Sequence, residues 1–202
     1  MKIFCIGRNY ADHAKEMNSA PPSQPLVFMK PSTALLPYGQ SFYLPDFSDN
    51  IHYELEVVVK IKEQGKRIFK SKVWHHIGDI SLGIDFTARD LQAKCKAAGH
   101  PWEIAKSFDY SAAIGKWVSM NEKHFRDIQF ELKKNGKQVQ SGLTKDMIFG
   151  IEELVEYISQ RFTLQKGDLI YTGTPAGVGQ LHVGDVLEGY LNQEPLLFCD
   201  VK

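Results

Sequence analysis

Glu54 and Glu56, two positions apart in the apolar run HYELEVVVKI, are the side chains with the plainest capacity for chemistry. In an extended chain alternate side chains share a face, and their Cα atoms lie about 6.6–6.8 Å apart, so the two carboxylates can converge on one ion. Pressed against a sheet, such a pair repels and loses solvation unless a cation compensates or one group takes up a proton. Asp85, at the end of GDISLGID, is a plausible third oxygen ligand. An all-carboxylate set suits Mg²⁺ or Mn²⁺ better than zinc or copper. The plain alternative puts both glutamates on the solvated side of an edge strand, paired with bases such as Lys60.

His13 and Glu16 are three apart in YADHAKEM and share one face of a helix. An imidazole, with a reference pKa of about 6.5, accepts a proton near neutrality, while a carboxylate beside it fixes the tautomer and steadies the cation; together they make a general base. Arg89 and Gln92, also three apart, follow Asp85 and offer a planar guanidinium fork and an amide to a carboxylate-bearing substrate. Lys106, in PWEIAKSF, can carry an ammonium to a small anion on its flexible stem. Each has a structural alternative: a helical surface pair for His13 and Glu16, a pairing of Arg89 with Asp90 or Glu103, and a solvent-facing Gln92. TGTPAGVG sets Thr174, Gly177 and Gly179 in a turn suited to backbone donors. Neither G-x-x-x-x-G-K-[ST] nor G-x-G-x-x-G occurs, so no nucleotide cofactor is expected.

The elements that must position these groups are legible in outline. Residues 1–7 read as a strand feeding a short helix that ends near Asn18, and LVFMK reads as a strand stopped by Pro31, with loop to about Asn50. HYELEVVVKI is the most regular strand, with His52, Glu54, Glu56 and Val58 on one face. GDISLGIDFTA continues the sheet, Gly83 marking a bulge or close backbone approach, and ARDLQAKCKAAG forms a helix that Gly99 can terminate. Asn135-Gly136 predicts a tight hairpin. Ile151, Leu154, Val155 and Ile158 form the stripe of one amphipathic helix. The pattern lacks the regular helix–strand alternation of a doubly wound sheet.

With 202 residues the chain can fill one domain, expected over residues 1–202. Its 24 basic and 24 acidic side chains cancel, which disfavours nucleic-acid or anionic-membrane partners, and no apolar stretch approaches a bilayer span. The opening MKIFCIGRNY lacks the features of an export signal. Cys5, Cys95 and Cys199 are too few and scattered for a disulfide framework or zinc cluster. A cytoplasmic protein with the cysteines as small buried hydrophobes is expected.

Taken together, GRNYADHAKEM, LVFMKPSTAL, HYELEVVV, DFTARDLQ, PWEIAKSFD and GDLIYTGTPAGVG closely resemble the fumarylacetoacetate hydrolase family over nearly the whole chain. The likeness is to its short, single-domain members: acylpyruvases, oxaloacetate decarboxylases or tautomerases, and isomerases or decarboxylases of aromatic-degradation keto acids. The resemblance implies an α+β fold, a mixed β-roll with peripheral helices, and a homodimer. It also implies that Glu54, Glu56 and Asp85 ligate Mg²⁺ or Mn²⁺, and that His13 and Glu16 activate water or manage protons under a closing lid. Arg89, Gln92, Lys106 and Thr174 would surround the carboxylate and keto oxygen of a small oxo acid, with Lys106 also catalytic, while Arg8 and Tyr10 shape the entrance. The expected reaction is metal-dependent hydrolysis of a carbon–carbon bond in an acylpyruvate or related 2,4-dioxo acid through an enolate. Oxaloacetate decarboxylation or tautomerisation, isomerisation of a 2-hydroxyhepta-2,4-diene-1,7-dioate, and noncatalytic keto-acid binding are the alternatives. Arg67, Lys70 and Lys72 are candidates for a distal carboxylate, or else a solvated basic run.

Overall fold

A computed structural model describes residues 1–119 and 122–202. The β-branched run Val57-Val58-Val59 favours extended backbone, and the strand that holds it, Leu55–Ile61, lies in the middle of the largest sheet. Across that sheet the order is Leu26–Lys30, Ile3–Gly7, Leu169–Tyr171, Leu55–Ile61, Ile77–Asp85, Ala112–Ile114 and Leu35–Leu36, with Val118–Ser119 also pairing Ile77–Asp85. Two of these pairings are parallel, Ile3–Gly7 with Leu169–Tyr171 and Leu35–Leu36 with Ala112–Ile114, and the rest are antiparallel. The sheet is mixed and curls into a half-barrel, as expected of an α+β roll. A four-stranded antiparallel sheet (Lys137–Leu143, Gln129–Lys134, Val186–Leu191, Glu194–Asp200) packs against it. A small third sheet joins Gly179–Gln180, Ile51–Tyr53 and Thr87–Ala88.

Period-two alternation sorts the core onto two faces of the main sheet. Phe4, Ile6, Leu55, Val57 and Val59 enter the larger apolar cluster, whereas Ile3, Cys5, Val58 and Tyr171 enter a smaller one on the opposite face. Glu56 shares the face of Val58. Both faces being covered, Leu55–Ile61 is buried almost throughout, which removes the edge-strand alternative for the glutamates. All three cysteines are free and buried, as small hydrophobes.

HYELEVVVKI is not one strand. The chain divides at Glu54 into Ile51–Tyr53, in the small sheet, and Leu55–Ile61, in the large one. The division has a hydrogen-bonding cause: the Leu55 N–H donates to the Gln140 side-chain oxygen at 2.9 Å rather than to a strand neighbour, while the Glu54 carbonyl accepts from Asp85 N–H at 2.9 Å. The stretch after Pro31 is also more ordered than a plain loop, with a 3₁₀ turn at Ser32–Ala34, the strand Leu35–Leu36 and a bridge from Phe42 to Val201.

Other elements stand where the residue pattern puts them. Gly99 closes the helix Arg89–Ala98 at φ 66°, a left-handed conformation that glycine adopts without Cβ strain. Asn135 and Gly136, both at positive φ, turn the hairpin between Gln129–Lys134 and Lys137–Leu143. In the helix Ile151–Arg161 the stripe Ile151, Leu154, Val155 and Ile158 is buried. At Gly83 a Cβ would stand 2.5 Å from Tyr171 Cε1 and 2.8 Å from the Ala113 carbonyl oxygen, so a close approach, not a bulge, explains that glycine.

Candidate active site

Three carboxylates gather where the central strands end. Glu54 sits at the break between two sheets, Glu56 two residues into the buried strand, and Asp85 at the end of Ile77–Asp85, the antiparallel neighbour. All three are buried, and one oxygen of each lies within 4.8 Å of the others.

Cations hold this charge unevenly. Lys106 Nζ bridges Glu54 Oε2 at 2.8 Å and Asp85 Oδ2 at 2.7 Å, and Arg89 donates to Glu54 Oε1 at 2.5 Å. Burial pushes the Glu54 carboxyl up, but the Lys106 and Arg89 charges outweigh it and hold the group well below its usual range. The same carboxylates keep the Lys106 ammonium above its ordinary value against the opposing effect of burial. Glu56 is treated differently. Its Oε2 accepts the Gly173 N–H at 2.7 Å, and burial, then the Asp85 and Glu54 charges, raise its pKa well above the normal range.

The donor set therefore fits a hard divalent cation. Two of its carboxylates already converge on one positive centre, the Lys106 ammonium, and the third is a buried acid that is costly to ionise without a further cation. Mg²⁺ and Mn²⁺ both match three carboxylate oxygens.

Lys30, a residue the sequence reading passed over, completes the charge balance. It is fully buried, and its ammonium faces Asp85 Oδ1 at 2.8 Å without hydrogen-bond directionality. It donates to the carbonyls of Ser111 and Lys106 and to Ser111 Oγ. The signal was a lysine ending the apolar strand LVFMK, which by itself looks like an ordinary strand terminus.

The wall around the carboxylates holds most of the expected groups. Arg8, His13, Arg89, Gln92, Lys106 and Thr174 line one cavity with the three acids. Arg89 Nη1 donates to Gln92 Oε1 at 2.8 Å, so the fork and the amide act as one unit rather than pairing with Asp90 or Glu103. Tyr10 is absent from the wall; it is buried, edge-on to Phe130 in the larger core. Arg67, Lys70 and Lys72 lie elsewhere, Lys70 pairing with Glu153.

His13 and Glu16 meet on the helix Ala11–Glu16, with His13 Nδ1 3.1 Å from Glu16 Oε2. Glu16 Oε1 in turn accepts the Gly177 N–H at 3.0 Å, which ties this helix to the TGTPAGVG loop. A carboxylate at Nδ1 favours the tautomer with its proton there and leaves Nε2 as an acceptor. Two amides unremarked in the sequence hold the neighbouring segments. Asn9 Nδ2 donates to the Phe149 and Thr172 carbonyls, and its Oδ1 accepts the Phe149 N–H. Gln140 Nε2 donates to Thr174 Oγ1 at 2.8 Å while its oxygen takes the Leu55 N–H, linking the glutamate strand to the threonine loop.

A curled α+β sheet with a buried Glu-Glu-Asp cluster at its strand ends, sharing a cavity with His13 and a guanidinium–amide fork, presents a donor set suited to a divalent metal ion. The chain belongs to the fumarylacetoacetate hydrolase family: residues 2–199 match the model described as "Fumarylacetoacetate (FAA) hydrolase C-terminal". It is 43% identical over 188 residues to the mitochondrial oxaloacetate tautomerase of Caenorhabditis elegans, covering 93% of this chain and 88% of that protein. The crystal structure of fumarylpyruvate hydrolase from Pseudomonas aeruginosa in complex with Mn²⁺ and pyruvate is similar with a TM-score of 0.93 and 35% identity, over 100% of this chain and 89% of that one. The 2-hydroxyhepta-2,4-diene-1,7-dioate isomerase of Mycobacterium marinum is similar with a TM-score of 0.86 and 31% identity, over 99% and 73%. No helix among the described residues is long and apolar enough to cross a membrane.

Proposed function

We propose that the protein is a divalent-metal-dependent enzyme of 2-oxo acids that cleaves a carbon–carbon bond in an acylpyruvate or related 2,4-dioxo acid by hydrolysis. The observation that carries this reading is His13 in the wall of the carboxylate cavity, with Glu16, which is not among the lining residues, at its Nδ1, because hydrolysis needs a base for water beside the group that stabilises the enolate. Glu54, Glu56 and Asp85 would hold Mg²⁺ or Mn²⁺, which supplies Lewis-acid stabilisation of negative charge on the keto oxygen.

The chain's own residues have these roles. Arg89, fixed by Gln92, takes the substrate carboxylate through its guanidinium fork. Lys106 offsets the charge that develops on the departing enolate. His13 Nε2 accepts the proton of water while Glu16 holds the imidazolium that results, and the same nitrogen returns the proton to the enolate carbon. Thr174 offers a hydroxyl whose orientation Gln140 sets. Within this reading residues 1–202 act as one catalytic domain, two copies of the chain form a homodimer, and the small oxo acid is the substrate.

The likeness to an oxaloacetate tautomerase favours a second reading, keto–enol tautomerisation at the same site without attack by water. His13→Ala separates the two. Under the first reading, Mn²⁺-loaded His13→Ala loses acetylpyruvate cleavage by about 10²-fold or more, the usual contribution of a general base, as measured by pyruvate release. Cleavage at the wild-type rate would remove His13 from water activation. Wild-type protein that tautomerises oxaloacetate yet releases no pyruvate from acetylpyruvate would establish the second reading instead.

A further inference from the structure

Gln140 belongs to none of the sequence motifs, yet it is only 2% exposed and stands opposite Leu132, a member of the larger apolar cluster, in the hairpin ladder. A side-chain amide in such a place costs free energy unless its hydrogen bonds are made. They are made, and the neighbours fix their direction. The Leu55 N–H can only donate, so the atom 2.9 Å from it is the amide oxygen. The Pro175 carbonyl can only accept, so the amide nitrogen faces it at 2.9 Å and, with its other proton, faces Thr174 Oγ1 at 2.8 Å.

That direction decides what the Thr174 hydroxyl can do. Its oxygen accepts from Gln140, so its own proton must look elsewhere. The protein acceptor it meets, the Pro175 carbonyl, lies 3.5 Å away, beyond the roughly 2.5–3.0 Å of an O–H···O bond, and already takes a Gln140 proton. Thr174 is buried and lines the cavity of the three carboxylates, which is where the proton is left to point. Gln140 also has a bracing contact: Leu55 stands between Glu54 and Glu56, and Gly173, next to Thr174, gives its N–H to Glu56. A test of the first role must therefore hold the second constant.

We infer that Gln140 is a positioning residue that makes the Thr174 hydroxyl an obligate donor toward the cavity, where its proton meets a keto or carboxylate oxygen of the bound 2-oxo acid. The bonds form a chain, Gln140 N–H to Thr174 O–H to substrate oxygen, in which each polarises the next. A threonine free to rotate would offer its lone pairs as readily as its proton; Gln140 removes that choice before the substrate arrives, so no reorganisation is needed when negative charge develops on the accepting oxygen. This rests on the 2-oxo-acid reading above, because the accepting oxygen belongs to that acid.

Pyruvate binding to the Mn²⁺-loaded protein, followed by titration calorimetry, tests this chain of bonds. Thr174→Val is expected to weaken pyruvate about ten-fold or more, the scale of a hydrogen bond to a charged group. Gln140→Glu keeps an acceptor for the Leu55 N–H but takes the Thr174 proton for itself. It is expected to weaken pyruvate to a similar extent, to leave Mn²⁺ affinity within about three-fold of wild type, and to add less than about two-fold in a Thr174→Val background. An equal loss in both backgrounds would mean that the substitution acts through its charge or its packing, and would overturn the proposal. So would a Gln140→Glu protein that loses Mn²⁺ along with pyruvate, or a Thr174→Val protein that binds pyruvate like wild type. A second readout needs no substitution at Gln140: in the Mg²⁺-loaded protein its side-chain amide protons are expected to shift in the NMR spectrum when pyruvate binds to wild type and to stay in place in Thr174→Val. Resonances unmoved in wild type would also overturn the proposal. Wild type that binds no pyruvate would overturn the proposal and the 2-oxo-acid reading together. The expected coupling between Gln140 and Thr174, in a protein that cleaves no acylpyruvate, would keep the role of Gln140 and reject the hydrolase reading.

Discussion

Removing the Lys30 ammonium would leave Asp85 Oδ1 buried with no facing charge and take one donor from the carbonyls of Phe86, Lys106 and Ser111 and from Ser111 Oγ. Breaking a buried pair from one side costs about 3–5 kcal/mol, because the surviving ion cannot recover its hydration. Lys106 still holds Asp85 Oδ2, so Lys30→Met is expected near the lower end, about 3 kcal/mol. Urea denaturation of the metal-free protein measures this, and a loss below about 1 kcal/mol would show that the site relaxes without Lys30. The same logic explains why Glu54 and Glu56, identical in type and two apart, differ in acidity. Glu54 touches two cations, whereas Glu56 receives one backbone N–H and faces two carboxylates.

Among the elements, the pairing of Leu55–Ile61 with Ile77–Asp85 sets the distance between the glutamates and Asp85. Gly83 lies opposite Glu56 in that ladder, and its missing side chain lets Tyr171 and Ala113 close over the strand. Adding a methyl there overpacks a region without slack, which costs about 1–3 kcal/mol. Gly83→Ala is expected to lose that much stability and, by shifting Asp85 two residues on, to weaken Mn²⁺ binding several-fold. Thermal unfolding and metal titration read the two effects. Unchanged metal affinity at reduced stability would mean that the strand end is positioned independently of its middle.

For the whole molecule, binding a cation at the carboxylate cluster adds free energy to the folded state alone. A site at 100 times its Kd stabilises by about 2.7 kcal/mol, and in a chain of this length each kcal/mol moves Tm by roughly 2–4 °C. Mn²⁺ is therefore expected to raise the Tm of metal-stripped wild type by about 5–11 °C. Glu56→Gln removes one ligand together with the carboxylate that the fold least favours ionised. It should raise the Tm of the metal-free protein slightly and abolish most of the Mn²⁺ response. A full response in Glu56→Gln would take Glu56 out of the ligand set.

Local patterns in the chain were enough to determine several features of this protein. Asn135-Gly136 has little choice but a positive-φ turn, Gly99 ends its helix for the same reason, and the alternation through Glu56 and Val58 places both on one face. His13 and Glu16 meet because a helix brings positions three apart together, a contact that needs no other part of the fold. The ordered motifs that carry the family resemblance were likewise present in the residues themselves. Tertiary structure alone decided the rest, since each remaining feature joins segments far apart in the chain. Gln140 captures the Leu55 N–H and splits an apparently continuous strand between two sheets. Tyr10 turns into the core and not the cavity, Lys30 reaches Asp85 from a strand with three others between them in the sheet, and Lys96 joins Arg8 on one wall. A period states which face a side chain takes; which charges share that face is settled only when distant strands close on one another.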